Sequence, residues 1–315
     1  MSNPCEYCGT MEDKGCCQEK CPVCGKEFAC YLEECPHCGK SVGLPNVRRA
    51  KHPNEKKALQ SRYGATIQKA IQKDANAPGT LDKLLLFQKV VEDKGCVVIN
   101  LGLKVLSNLV VDRQFYGNYY DKQKPLGKYD EKRENVDKCV LGDCVKRIRY
   151  AALSLDGKGL TNYGKKGGNC KCNITLKLNK VELTTSLLEK NAFHFEKDCN
   201  NGNSIPLGHR ASWWYRCELA VIKVADSITA NTSAGEFPKL LLTATEEREK
   251  DSFIEVHIFG QIGLDMIKAV SGSSNITFDE VSQASKKTKL EKIAKRNLIV
   301  IKSTLKRAEK PWQEV

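Results

Sequence analysis

Two near-copies of one hexapeptide, Cys21-Pro-Val-Cys24-Gly-Lys and Cys35-Pro-His-Cys38-Gly-Lys, stand with ten residues between their cysteine pairs. A turn of this kind aims both of its sulfurs to one side. The glycine after the second cysteine supplies a positive φ, which lets backbone N–H groups reach the sulfurs. Four thiolates arranged this way suit a tetrahedral Zn²⁺ ion. Residues 1–43 are too few to bury a useful apolar core, so the metal is expected to supply the folding free energy of a small zinc-ribbon module. His37, inside the second knuckle, is read as exposed and not as a ligand.

Nine of the sixteen cysteines fall between Cys5 and Cys38. Cys5-Glu-Tyr-Cys8-Gly forms a third pair, with Cys16, Cys17 and Cys30 as candidates to complete a second zinc site. The polar N-terminus meets cysteine at once and lacks the pattern of a signal peptide. No apolar run approaches the ~18 residues of a membrane span. A cytoplasmic setting is expected, where thiols stay reduced and metal thiolate is favoured over disulfide. Most of the other seven cysteines read as ordinary buried or half-buried thiols.

The formal net charge is +13, and it is unevenly placed. Residues 1–58 carry nine Lys/Arg against eight Asp/Glu, whereas residues 286–310 carry ten against two. That field suits nucleic acid or another polyanion, or else serves as a solubilising surface.

Residues 44–58 have the composition of a basic linker. Residues 59–146 read as a helical segment followed by a polar, aromatic stretch. Glu55 to about Ala75 has helical periodicity. Thr80 is placed to cap a second helix from Leu81 to about Asp93, with Gly95 at its end. Val97 to Asn100 is either a strand or the start of a helix running to Leu109. From residue 147 the texture changes to short strands at Arg149–Leu155, Cys172–Leu178, Val181–Asn191, Leu240–Thr243 and Ser252–Gly260. Ser212 is placed to cap a helix from Trp213 to about Ile228. A basic helix after Phe278 and a strand over 297–302 complete an α+β reading. Trp213 and Trp214 are read as core and interface packing.

Within residues 147–270, three fragments occur in an order that resembles an ADP-ribosyltransferase toxin-type domain. They are Arg149 in Arg-Ile-Arg-Tyr-Ala-Ala-Leu, the cluster Thr184-Thr185-Ser186, and Glu255 in Phe-Ile-Glu-Val-His-Ile-Phe-Gly. The resemblance implies NAD as substrate. Arg149 would grip its pyrophosphate, and Thr184, Thr185 and Ser186 would position the glutamate. Glu255 would be catalytic, stabilising the oxocarbenium ion formed as nicotinamide leaves. The family usually has Gln or Glu two residues before the catalytic Glu; here Phe253 stands there, which points away from an amino-acid acceptor and toward nucleic acid. A register shifted by two would put His257 in the catalytic place. Such an enzyme made inside a cell would also need a restraining protein partner. The alternative is a non-enzymatic zinc-ribbon protein that binds nucleic acid. A zinc nuclease ranks below both, since the five histidines form no HxH or HNH-like constellation.

Overall fold

The computed structural model describes residues 18–29, 32–118, 120, 131–160, 171–200, 205–245, 250–274 and 284–314. Strands β1 (Gln18–Lys20) and β2 (Glu27–Ala29) form a small antiparallel hairpin around the first knuckle. Then come helices α1 (Pro45–Lys51), α2 (Pro53–Asn76) and α3 (Thr80–Lys94), strand β3 (Cys96–Gly102), α4 (Leu103–Val110) and α5 (Glu131–Leu141). Strands β4 (Ile148–Ser154) and β5 (Lys171–Leu176), α6 (Leu178–Val181), β6 (Thr185–Leu188), α7 (Glu196–Asn200) and β7 (Arg210–Ser212) follow. The chain continues through α8 (Arg216–Val224), α9 (Phe237–Leu241), β8 (Glu255–Phe259), β9 (Ile267–Gly272), α10 (Ala284–Arg307) and β10 (Trp312–Glu314).

Eight strands make one sheet in the order β10-β9-β5-β3-β4-β8-β6-β7. All its neighbours are antiparallel except β10 and β9. The sequence reading changes texture at residue 147, yet the sheet runs across that point, because β3 lies between β4 and β5. Strand alternation sends Val97, Ile99, Ala151, Leu153, Ile174, Val256 and Ile258 to one face, where they join Leu84, Phe87, Leu106, Leu219 and Leu298 in the main core. The other face packs Ile148, Leu188 and Phe259 against Val136 and Val140 of α5.

Several elements differ from the sequence reading, each for a local reason. Residues 45–51, with linker composition, form α1, which packs on β6 and β7 and buries Asn46, Val47, Arg49 and Ala50. Thr80 is the first residue of α3 and not its cap. Gly79, at φ 97°, takes the cap position, and Asp74 Oδ1 accepts from the amides of Gly79 and Leu81, both at 2.9 Å. Val97 to Asn100 is a strand, and a helix follows it. Val181 closes a single turn of helix before β6 starts at Thr185. The strand expected over Leu240–Thr243 is a helical turn that Pro238 helps to start, followed by one bridge between Thr243 and Ser252. The strand expected over 297–302 lies inside α10: Ala294, Leu298, Ile301 and Leu305 recur at helical spacing and are buried, while β-branched Ile299 points outward at 69% exposure. Packing outweighs β-propensity there. Ser212 precedes a single 3₁₀ turn (Trp213–Tyr215), and α8 begins only at Arg216; the Ser212 side chain makes no cap bond.

Cys139 of α5 and Cys199 of α7 form a disulfide that joins these two covering helices to each other, where the sequence suggested ordinary thiols. A second crosslink ties α2 to the sheet. Glu189, just beyond β6, accepts from Arg62 of α2 at 2.6 Å and lies 2.8 Å from His209 Nδ1. Arg62 also donates to Gly208 O, where any Cβ would sit 2.8 Å from the Ala58 carbonyl carbon, so the loop can approach α2 only with glycine.

Burial alone would raise the Glu189 carboxyl, but hydrogen bonds from His209 and Arg62 outweigh it and hold the pKa down to about 2. A folded-state value below the unfolded one (roughly 4.3) contributes stability that is present above that pH and is lost as pH falls toward 2. Arg62→Ala should therefore cost about 1–3 kcal/mol at pH 7 and flatten the acid limb of the stability curve. Denaturant unfolding from pH 7 to 3 checks this. Parallel curves for the two proteins would show that the ion pair is not the source.

Candidate functional site

The Sγ atoms of Cys21, Cys24, Cys35 and Cys38 all lie within 4.8 Å of one another. Cys21 and Cys38 are 3.7 Å apart, as are Cys24 and Cys35. A tetrahedron with metal–sulfur bonds of about 2.3 Å has edges of about 3.8 Å, so these two edges already stand at coordination spacing. The two knuckles are built alike. Gly25 and Gly39 sit at φ 70° and 65°, and their amides donate to Cys21 O and Cys35 O at 2.9 and 2.8 Å. The backbone hydrogen bond at Cys24 lowers the Cys21 thiol, whereas Cys38, against its own backbone bond at Lys40, is raised by burial and the neighbouring sulfurs, so the four do not all ionise without a cation between them. This cluster can hold a metal ion and is compatible with zinc. His37 bonds the Glu27 carbonyl at 2.9 Å and is no ligand. Cys5, Cys8, Cys16, Cys17 and Cys30, the candidates for a second site, lie outside the described residues.

Arg48 fastens this module to the rest of the chain. Its Nε donates to Glu19 at 2.7 Å, its Nη1 donates to Leu32 O and Gly43 O, and its guanidinium lies 5.3 Å from the Phe28 ring centre. Arg147 adds an ion pair with Glu33.

The structure brings together the strands that carry the resemblance but not all of the side chains. Strand β8 lies between β4 and β6. Arg149 pairs with Ile258, and Glu255 with Ala152, so alternation puts Arg149 and Glu255 on opposite faces of the sheet. Arg149 donates to Tyr116 O and Arg147 O. Thr184 and Thr185 both donate to Val181 O, as local turn bonds. Ser186 is on the Glu255 face, where its Oγ accepts from Asn46 Nδ2 at 3.2 Å.

Glu255 is 5% exposed. Its Oε1 lies 2.6 Å from His257 Nε2, and its Oε2 accepts from the Ala192 amide at 3.3 Å. The Tyr150 ring meets His257 edge-on, with centres 5.6 Å apart. Arg133 of α5 stacks over Tyr150 and pairs with Asp137 one turn along the helix; Asp137 also accepts from Tyr120 OH at 2.6 Å. Burial raises the Asp137 carboxyl, opposed by Arg133 and Tyr120. A carboxylate-oriented imidazole of this sort can hold or pass a proton. Here it also satisfies polar groups that α5 and the turn at Ala192–Phe195 bury against the sheet.

Beside this network, Asn46 and Arg49 of α1 and Arg210 of β7 meet at a small, nearly closed pocket that Ser186 and His257 also line. Arg49 and Arg210 both donate to Val140 O, at 2.9 and 3.3 Å. The sequence reading names none of Asn46, Arg49, Arg133, Asp137 and Arg210 as site residues. The i,i+4 pair Arg133–Asp137 was the available signal, while linker composition hid Asn46 and Arg49.

No protein-family model matches this chain, and no curated protein matches it.

Cys35→Ser should release the metal and melt residues 18–43 locally, while the sheet keeps its cooperative transition. Elemental analysis with hydrogen exchange reads both effects. Metal content unchanged by the substitution would place the ion elsewhere.

Proposed function

We propose that this protein binds nucleic acid, with a zinc-loaded four-cysteine module as a rigid platform and α10 as the principal electrostatic contact. The observation that carries this reading is the outward face of α10. Within Ala284–Arg307 there are nine Lys/Arg and one Glu. Lys289, Lys292, Lys295, Arg296, Lys306 and Arg307 are all exposed, while the apolar side of the same helix is anchored in the core. A fixed basic helix of this length presents its charges to phosphates without further ordering. Among the described residues no helix is long and apolar enough to cross a membrane.

Phosphate contacts release counterions, so affinity for single- or double-stranded oligonucleotides should fall steeply between roughly 50 and 200 mM salt. Reversing Lys292, Lys295 and Arg296 to Glu should weaken binding at least about tenfold and flatten the salt slope by roughly 0.7–0.9 for each phosphate no longer neutralised. Fluorescence anisotropy measures both. No binding at low salt, or binding indifferent to the reversal, would remove the reading.

A second reading is ADP-ribosyl transfer onto nucleic acid. What supports it is the adjacency of β4, β8 and β6, which carry Arg149, Glu255 and Thr185-Ser186 with Thr184 just before them, the three fragments of the resemblance. The opposite-face positions of Arg149 and Glu255 rank it second. Incubation with labelled NAD and RNA or DNA tests it. Transfer should drop on the order of 10²–10³ with Glu255→Gln, and an absence of transfer by the unaltered protein would dispose of it.

A further inference from the structure

Where α1 meets β7, the chain forms an open cleft of about 340 Å³ lined by Lys51, Lys56, Ser212, Trp214 and Tyr215. Trp214 is 55% exposed although its neighbour Trp213 is 1% exposed, so an indole face stands free on a well-anchored turn. Lys56 Nζ lies 5.2 Å from the Tyr215 ring centre, and Lys51 is exposed on the same cleft. Among the described residues no carboxylate lines it. Ser212 is 1% exposed, and its hydroxyl has no hydrogen-bond partner, although it stands just before a helical turn where serine usually caps. Two residues earlier on the same strand, Arg210 is buried with its Nε unpartnered. Burial, and then the charge of Arg49, lower the Arg210 pKa to about 9, with Glu55 opposing them.

We propose that this cleft holds one nucleotide unit of a single-stranded nucleic acid, with its base stacked on Trp214 and the phosphates on its two sides held one each by Lys51 and Lys56. This rests on the nucleic-acid reading above and adds strand selectivity to it. A base can stack on an indole only when its own face is free, which a duplex denies it. The cleft volume is at the low end of the roughly 300–1,000 Å³ of small-ligand sites, enough for a base with its sugar and not for a folded partner. Lysines flanking an aromatic platform are complementary to phosphate on either side of a stacked base.

The test uses the full, metal-loaded chain with a labelled, unstructured RNA of about twelve nucleotides, the DNA of the same sequence, and the matching duplex. Trp214→Ala should weaken single-strand binding by about 5- to 150-fold, since a stacked base contributes roughly 1–3 kcal/mol. Trp214→Phe should restore most of it, and duplex binding should not change. Because the Trp214 side chain is exposed, neither substitution removes core packing. Binding of either single strand should quench tryptophan emission in the unaltered protein, with the quench much reduced in Trp214→Phe. Lys51→Ala and Lys56→Ala should each lower the salt slope by about one. If single strands bind the unaltered protein and Trp214→Ala equally, the cleft proposal is overturned and the nucleic-acid reading stands. If neither strand form binds at low salt, that reading falls and the cleft proposal falls with it.

Discussion

One seven-residue helix joins the parts of this molecule that have little else to connect them. Asn46 of α1 directs a single amide nitrogen at Thr184 O, Ser186 Oγ and His257 O, all within 3.1–3.2 Å. Three acceptors around one nitrogen fix which end of the amide faces the sheet. One turn later Arg49 bonds the end of α5, while Arg48, on the other side of the same helix, holds the four-cysteine module. Helical periodicity thus gives one short segment two faces with two partners. The module's position, the lid over the β6–β8 face and one wall of the open cleft all follow from how α1 is seated.

That dependence was hidden in the sequence, and the reason is physical. Pro45-Asn46-Val47-Arg48-Arg49 looks like a basic connector because its polar residues find their partners far along the chain, at Val140, Ser186 and His257. The cysteine knuckles were legible because their whole logic is local: a turn, a glycine with positive φ and two sulfurs three residues apart. Helices α2 and α3 were legible from apolar spacing, and the first part of α10 from its basic character. The outward Ile299 and Val300 of α10 misled, because β-branched residues carry no sign of which side of a helix they occupy. For the candidate site, the strands bearing Arg149, Ser186 and Glu255 could be read as strands, but their register could not. A shift of one residue in pairing decides whether two side chains share a face.

Register also explains how charge is distributed over the covered face. Tyr150, Glu255 and His257 all point into the layer beneath α5, and burying them unpaired would cost several kcal/mol. Glu255 is matched by His257 and the Ala192 amide, and Asp137 by Arg133 and Tyr120; Tyr150 meets Arg133 and His257 through its ring, while its hydroxyl makes no hydrogen bond. The same layer contains Arg210, whose backbone amide donates to Glu55 at 2.8 Å while its guanidinium donates to a carbonyl. The covered face therefore divides into a matched half under α5 and a cationic half beside α1.

The order of the sheet sets a distance between the two basic surfaces. The cleft belongs to β7, at one edge, and α10 packs on α4 beside β9 and β10, at the other. Seven strand intervals of about 4.8 Å put these edges on the order of 33 Å apart before twist. On the proposed nucleic-acid reading, a short oligomer would occupy one edge or the other, whereas a strand long enough to pass round the sheet would gain the second contact at the high local concentration set by its own tether. The sheet width would then act as a ruler, with affinity rising in a step at the strand length that first spans it.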